Sequence, residues 1–379
     1  MSAPGTRRSL RRGRARRAVT LACVLAALGP AAGARAETTW EVTGAGFGHG
    51  AGMSQWGAFG YAKHGSNWKQ ILGHFYKHTT IGRTKGRNVR VLLEAGPESV
   101  DFTGASRACG RDLDQGKAYT AVRDGSGVRL RSGDGQDLGG CGDSLQATGG
   151  GSIRVIDEGA YRGALVVLPR GDGGLYAINS VPLEGYVKGV VANEMPADWP
   201  ADALRAQAVA ARSYALATSA SGPFDQYDDT RSQVYGGLGS ETAATNDAVG
   251  TTSGRVVKFH GRVATTFFFS SSGGRTENVE NVFAGSDPKP YLTSVRDPFE
   301  EASPYHHWRE TFSQSEIEAK LGSLVEGTLQ SIEVTKRGRS PRIVSAKLVG
   351  SAGTTEVSGS TLQSRLGLRS TWAFFEKSG

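Results

Sequence analysis

The chain has 379 residues, 54 glycines, three cysteines and a formal net charge of +8. That length suits one large domain or two modest ones. Eight of the 44 Lys and Arg residues fall in the first 36 positions, which hold no acid, and the remaining 36 basic residues match the 36 acidic ones. The basic balance therefore gives no argument for a nucleic-acid partner.

Residues 1–36 read as a secretory signal peptide. "TRRSLRRGRARR" is a positive n-region, "AVTLACVLAALGPAA" a short apolar h-region, and "ARA" a cleavage site ending at Ala36. The run is too short to span a membrane, and no later stretch is long and apolar enough. "TRRSLRR" also resembles a twin-arginine export signal; a lipoprotein reading at Cys23 lacks the apolar residue expected three positions earlier. An exported chain is expected, and Cys23 leaves with the signal. The remaining pair, Cys109 and Cys141, is predicted to form one disulfide.

Residues 37–82 open with a short strand, "TTWEVTG", then "GAGFGHGAG", with glycine at every second position from Gly44 to Gly52. Read as extended chain, that run presents one face of hydrogens to a close backbone or flat ligand. Ser54 is placed to cap a helix over 55–64, stopped at Gly65, and Asn67 a second over 68–78. From Val42 to Leu93 there is no acid but seven basic residues, from Lys63 to Arg90. The segment either attracts an anionic polymer or is balanced by acids from elsewhere.

Residues 83–180 are short β-rich runs split by Gly, Asp and Ser, an antiparallel region that the disulfide would brace. Residues 181–379 begin with helices over 183–193 and 200–219. A helix near 241–250 follows, then a strand pair turning at His260-Gly261, a small helix in "SQSEIEAKLGSLV", and a hairpin over 329–351. The fold class is α+β with mostly antiparallel sheets.

The chemistry concentrates in "LEGYVKGVVANEMPADWP". At about 100° per residue, Glu194 projects from the apolar stripe of Leu183, Val187 and Val190. An apolar setting disfavours the charged carboxylate and suits a general acid. The alternative is an ion pair with an arginine of the next helix. Glu184 reads as a solvated partner of Lys188. On the second helix Arg212 is placed to orient Glu194 or hold an anionic ligand group, and Gln207 is a second polar candidate; the alternative for both is a surface position. "GFGHGA" is a weak dinucleotide fingerprint, with no parallel βαβ unit following it. His74 and His78 are half a metal site with nothing to complete it. "FFFSSSGG" has no evident triad and reads as a polar ligand-contact loop.

Together these segments resemble the stage II sporulation protein D domain family of bacterial cell-wall proteins. The strongest match is "VPLEGYVKGVVANEMPADWPADALRAQAVAARSYALA"; "DDTRSQVYGG", "FFFSSSGGRTENVENVFAG", "SRLGLRSTWAF" and "GFGHGAGMSQWGAFGYAKHG" support it. The resemblance implies a peptidoglycan lytic transglycosylase acting on peptide-stripped glycan strands, with Glu194 as its single acid and base. It further implies a glycan cleft lined by Arg212, Gln207, His49, Gln55, Ser271 and Ser272. In the family the "GHGxGMSQ" segment follows "LGLRST"; here it comes first, which resembles a circular permutation and predicts that Glu37 and Gly379 are neighbours. Some members carry a metal-binding His where Phe269 stands, so neither metal nor cofactor is expected. Related domains also stimulate a cell-wall amidase, which leaves a non-catalytic glycan-binding role as the competing reading. A hydrolase using Asp225, Asp228 or Asp229 as second carboxylate is a third.

Overall fold

In the computed structural model, residues 38–379 are described; the expected signal peptide, its cleavage site and Glu37 lie outside the described residues. Three large apolar cores and a small fourth one (Leu92, Ile178, Phe224) organise the rest, and they cut across the boundaries drawn at 82 and 180.

The first core lies under a large sheet built from residues 88–182. Its centre is an antiparallel run of Leu145–Val155, Gly159–Pro169, Leu175–Pro182 and Asn88–Ala95, with Gln226–Tyr227 added in parallel at the edge. Cys109 and Cys141 are bonded, as predicted, and both border this core. Helix α3 (Leu183–Glu194) continues directly from the strand Leu175–Pro182 and buries Tyr186, Val187, Val190 and Val191. Helix α4 (Ala201–Ala217) turns back against it with Ala208, Ala211 and Ala215 on that side. The small side chains allow close helix approach, which explains the alanine-rich sequence.

The opposite side of α4 faces the second core. Ala203, Leu204, Ala206, Val209 and Ala210 pack with Met53, Ala58, Ile71, Leu72 and Phe75. The last three lie on helix α2 (Trp68–Phe75), Ala58 on helix α1 (Gln55–Lys63). Both caps are as read: Ser54 Oγ accepts from Gly57 N–H at 3.0 Å, and Asn67 forms a reciprocal capping box with Gln70. Helix α5 (Ala243–Thr251) contributes Ala248 here. His260 and Gly261 both have positive φ, as a tight hairpin turn between Arg255–Phe259 and Arg262–Val263 requires.

The third core joins the two ends of the described chain. Strand Thr39–Ala45 is flanked by His307–Ser313 and Ala373–Ser378, antiparallel to both, with Thr39 opposite Ser378. Thr38 lies against Gly379: a Cβ built on that glycine would stand 2.9 Å from Thr38 Cα.

One local expectation fails. The glycine run is not extended. Gly46, Gly48, Gly50 and Gly52 have φ between +76° and +102°, so alternate residues are left-handed. The close approach is real nonetheless. A Cβ at Gly52 would lie 2.0 Å from Phe267 O, and one at Gly50 2.5 Å from Arg342 Nε.

Candidate active site

Helix α3 stops at Glu194. Met195 is extended and Pro196 follows, so the chain leaves the helix axis just as the carboxyl emerges. Gln55 Nε2 donates to Glu194 Oε2 at 3.1 Å, and Val234 N–H donates to Oε1 at 3.1 Å. Each oxygen thus keeps a lone pair with no partner among the described residues. The side chain is partly exposed, so the free side faces solvent. Burial pushes the carboxyl above the ordinary glutamate value, and the two hydrogen bonds pull against that rise. Both donors are neutral, and among the described residues no charge of either sign holds Glu194.

Three elements fix this geometry. Gln55 is the first residue of α1, whose start is set by the Ser54 cap and by Trp56 N–H donating to Ser270 O at 3.0 Å. Strand Met53–Ser54 runs parallel to Phe268–Phe269. Val234 sits between two anchored neighbours. Gln233 is buried with its Nε2 donating to Tyr186 OH at 3.1 Å, and Tyr235 OH donates to Asn179 Oδ1 at 2.8 Å.

Arg212 is elsewhere. It is fully buried, and its guanidinium forks onto Glu184, Nε to Oε1 at 2.9 Å and Nη2 to Oε2 at 2.7 Å. It also donates to the carbonyls of Arg255, Ala208 and Val249. Glu184 is therefore the partner of Arg212 rather than of Lys188, and Arg212 clamps α3, α4 and α5 together without reaching Glu194. Neither reading of Arg212 as a surface residue nor as an orienter of Glu194 matches this placement.

Gln207 is fully buried, and neither amide atom has a hydrogen-bond partner among the described residues. Helical spacing places it between Ala211, which faces α3, and Ala203 and Ala210, which face the core shared with α1 and α2.

The glycine run and the serine run meet, since Phe47 and Ser271 form a β-bridge. The two named serines, however, turn inward, while His49 is partly exposed and lines a cavity with Glu280, Phe283 and Gln363. His49 Nδ1 accepts from Ala51 N–H at 3.1 Å while Nε2 pairs with Phe268 O at 3.0 Å, which fixes a neutral ring. Burial lowers its pKa to about 4, against the Phe268 bond, and Arg342 lowers it further. Ser271 Oγ donates to Glu300, and Ser272 Oγ donates to Asp297 at 2.8 Å; both serines are fully buried. The expected polar ligand-contact loop is thus an internal anchor, built on two buried carboxylates. His74 is likewise occupied, by Tyr61 OH and Arg296 O.

The three aspartates before "SQVY" separate. Asp225 is paired with Arg87 and Arg90, which also balances part of the basic segment. Asp229 is paired with Arg231. Asp228 has no ion pair among the described residues, and burial, then Asp229 and Glu158, raise its pKa to about 6.

Two features were not anticipated. One is the Val234 N–H on Glu194, a contact across 40 residues that no local pattern encodes. The other is an aromatic cluster on the two segments that carry Gln55 and Glu194. Trp56 and Trp199 have ring centroids 4.8 Å apart, Phe59 and Trp199 5.0 Å, and Trp56 and Phe59 5.4 Å. Its sequence signal was an aromatic pair three apart on α1 and a tryptophan in the turn after Glu194.

Residues 171–259, which hold Glu194, Arg212 and Val234, match the family model described as Stage II sporulation protein. The chain carries a stage II sporulation protein domain. It is 34% identical over 213 residues to stage II sporulation protein D of Bacillus amyloliquefaciens, covering 52% of this chain and 60% of that protein. It is 32% identical over 212 residues to the protein of the same name in Bacillus subtilis (strain 168), with 51% and 60% covered. A third relative, the amidase enhancer of Bacillus subtilis (strain 168), is 41% identical over 135 residues, 35% of this chain and 18% of that protein. The alignments thus reach less than two thirds of the length of these relatives. Among the described residues no helix is long and apolar enough to cross a membrane.

Proposed function

We propose that this chain is an exported lytic transglycosylase of peptidoglycan, cleaving peptide-stripped glycan strands with Glu194 as its one acid and base. The observation that carries this is a partly buried carboxyl held by two neutral donors, with no ion pair among the described residues. Glycoside hydrolases generally pair two carboxylates across the scissile bond. A single carboxyl serves when the substrate supplies the nucleophile. Protonated Glu194 gives its proton to the glycosidic oxygen between N-acetylmuramic acid and N-acetylglucosamine, and the C1–O bond breaks. The 6-hydroxyl of the same muramic ring attacks C1, and its proton returns to Glu194. A 1,6-anhydro end forms, and no water enters. The raised pKa favours the protonated form needed first.

The test is mass spectrometry of peptide-free glycan strands incubated with the chain and with Glu194→Gln. Anhydro ends from the first and none from the second are expected. Water-added ends would make it a hydrolase and turn attention to Asp228. The amidase-enhancer relative favours one second reading, a glycan-binding partner of a cell-wall amidase. No products from either protein, with strands retained by both, would select it. We also propose that the motif order is a circular permutation of the family's.

A further inference from the structure

We propose that Trp56, Phe59 and Trp199, on the two segments that carry Gln55 and Glu194, form a stacking platform for a pyranose ring of a β-linked N-acetylhexosamine strand. The inference rests on reading this site as a glycan cleft and names the surface that takes the sugar.

The position follows from the chain. Gln55, which holds Glu194, lies one helical turn before Phe59 on the same side of α1, and Trp56 stands about 100° further round, its ring against that of Phe59. Trp199 lies five residues after Glu194, in the turn between α3 and α4, where its N–H donates to Pro196 O. The two segments that meet at the carboxyl therefore also meet at the rings.

Core packing does not explain the cluster. Neither Trp56 nor Phe59 packs against any of the apolar cores; only Trp199 borders one, alongside α2 and α4. All three rings are partly exposed. Among the described residues the indole N–H groups of Trp56 and Trp199 donate no hydrogen bond, as is also true of Trp68 and Trp372, while those of Trp40 and Trp308 do. Half-exposed rings leave apolar faces against water while water satisfies their N–H groups, a combination that suits an amphipathic ligand. A pyranose is such a ligand. Its face of C–H bonds lies flat on a π-system, and its rim of hydroxyl and acetamido groups meets the indole N–H. The rings are tilted, 59° between Trp56 and Trp199, so they offer faces in more than one direction rather than one flat wall. Aromatic walls with a few convergent polar groups are the usual build of ligand sites.

The test uses the full chain carrying Glu194→Gln, with two probes: a β-1,4-linked N-acetylglucosamine tetramer and peptide-free glycan strands. Affinity is read by calorimetry and by indole fluorescence. Trp56→Leu and Trp199→Leu are expected to weaken both probes about tenfold or more, Trp56→Tyr and Trp199→Tyr by less than about threefold, and Phe374→Leu, an exposed ring on another sheet, not at all. Leucine would serve a purely packing role, so the contrast with tyrosine isolates stacking; melting curves verify that each variant is folded. Unchanged affinity in the leucine variants, or equal loss in leucine and tyrosine variants, overturns the platform while leaving the transglycosylase reading intact. Tight, tryptophan-dependent binding with no cleavage by the unaltered chain supports the platform and overturns only the catalytic reading. Failure of the Glu194→Gln parent to bind either probe overturns both.

Discussion

Arg212 offers the sharpest test of structure against resemblance, because the two assign it different work. Replace it with methionine, which keeps the length and loses the charge. Five hydrogen bonds disappear: two to Glu184 at 2.7 and 2.9 Å, and one each to the carbonyls of Arg255, Ala208 and Val249 at 3.1–3.3 Å. Removing one partner of a buried pair costs about 3–5 kcal/mol. The Glu184 side chain is 35% exposed and keeps the N–H of Gly254, so its orphaned carboxylate is partly rehydrated and the low end applies. Buried carbonyls that lose a charged donor add about 1 kcal/mol each where no water replaces it. The expected loss is about 3–6 kcal/mol, a drop in melting temperature of roughly 4–8 °C for a domain of this size. Arg212→Lys keeps the charge without the fork and should lose about half as much. The assay pairs urea denaturation with glycan cleavage, the latter expressed per folded molecule at a temperature where each variant is native. Cleavage per folded molecule should stay within about threefold of the parent. A variant as stable as the parent but inactive would refute this placement and return Arg212 to the substrate.

Gln55 donates to Glu194 and so stabilises its charged form; Gln55→Leu should raise the carboxyl further, and the alkaline limb of kcat/KM should move to higher pH. A limb unmoved or lowered would show that Gln55 does not hold the working carboxylate. Asp297 is buried, with its pKa pushed up to about 7 from an ordinary 3.8, so between those values the folded state holds a proton that the unfolded state has released. Stability must then fall as pH rises through that window, and Asp297→Asn should abolish the slope and gain at most about 4 kcal/mol at pH 8. Identical slopes in parent and variant would refute it. The Cys109–Cys141 bond closes a separation of 32 residues, so the double serine variant should lose about 4 kcal/mol by denaturant titration. Its glycan cleavage should be unchanged, since no residue of the bridge neighbours Glu194.

What could be read in the sequence was what local spacing encodes. The caps at Ser54 and Asn67 sit next to the helices they start, and Glu194 stands on an apolar stripe defined within twelve residues. The cysteine pair was legible because no other partner remained. Partners set by tertiary packing were not. Helical spacing pairs Glu184 with Lys188, four residues on; its partner is Arg212, 28 residues away on another helix. A helical wheel orients a side chain but does not say what stands opposite, so Arg212 was left open between surface and site. The alternating glycines show the same limit. Their spacing correctly marked a close backbone approach, yet alternate left-handed residues keep that period as well as a strand does. The C-terminal strand Ala373–Ser378 and helix Gly359–Leu366 have no strong local signal, and both depend on packing with distant segments.

The ends of the described chain make the proposed permutation a physical question. Thr39 and Ser378 face each other across an antiparallel pair, and beyond them Thr38 touches Gly379. Joining Gly379 directly to Thr38 would leave the pair Ser378 and Thr39 closed by a two-residue loop. Gly379 would be the first loop residue, and its φ of +125° is positive, as the glycine-first hairpin turn requires. The family's motif order is then restored by opening the chain between Lys85 and Gly86. Both residues are exposed, and the local bond lost there is Gly86 N–H to Thr84 Oγ1 at 3.1 Å. The relinked chain, residues 86–379 followed by 38–85, should fold with a stability within about 2 kcal/mol of the parent, since one exposed hydrogen bond and one loop closure are exchanged. It should also keep its glycan cleavage. Opening instead inside α4, between Ala208 and Val209, breaks a helix buried on both sides and should prevent folding. If the first relinked chain fails as the second does, the two ends are neighbours by packing alone, and the motif order has some other origin than a cut and a rejoining.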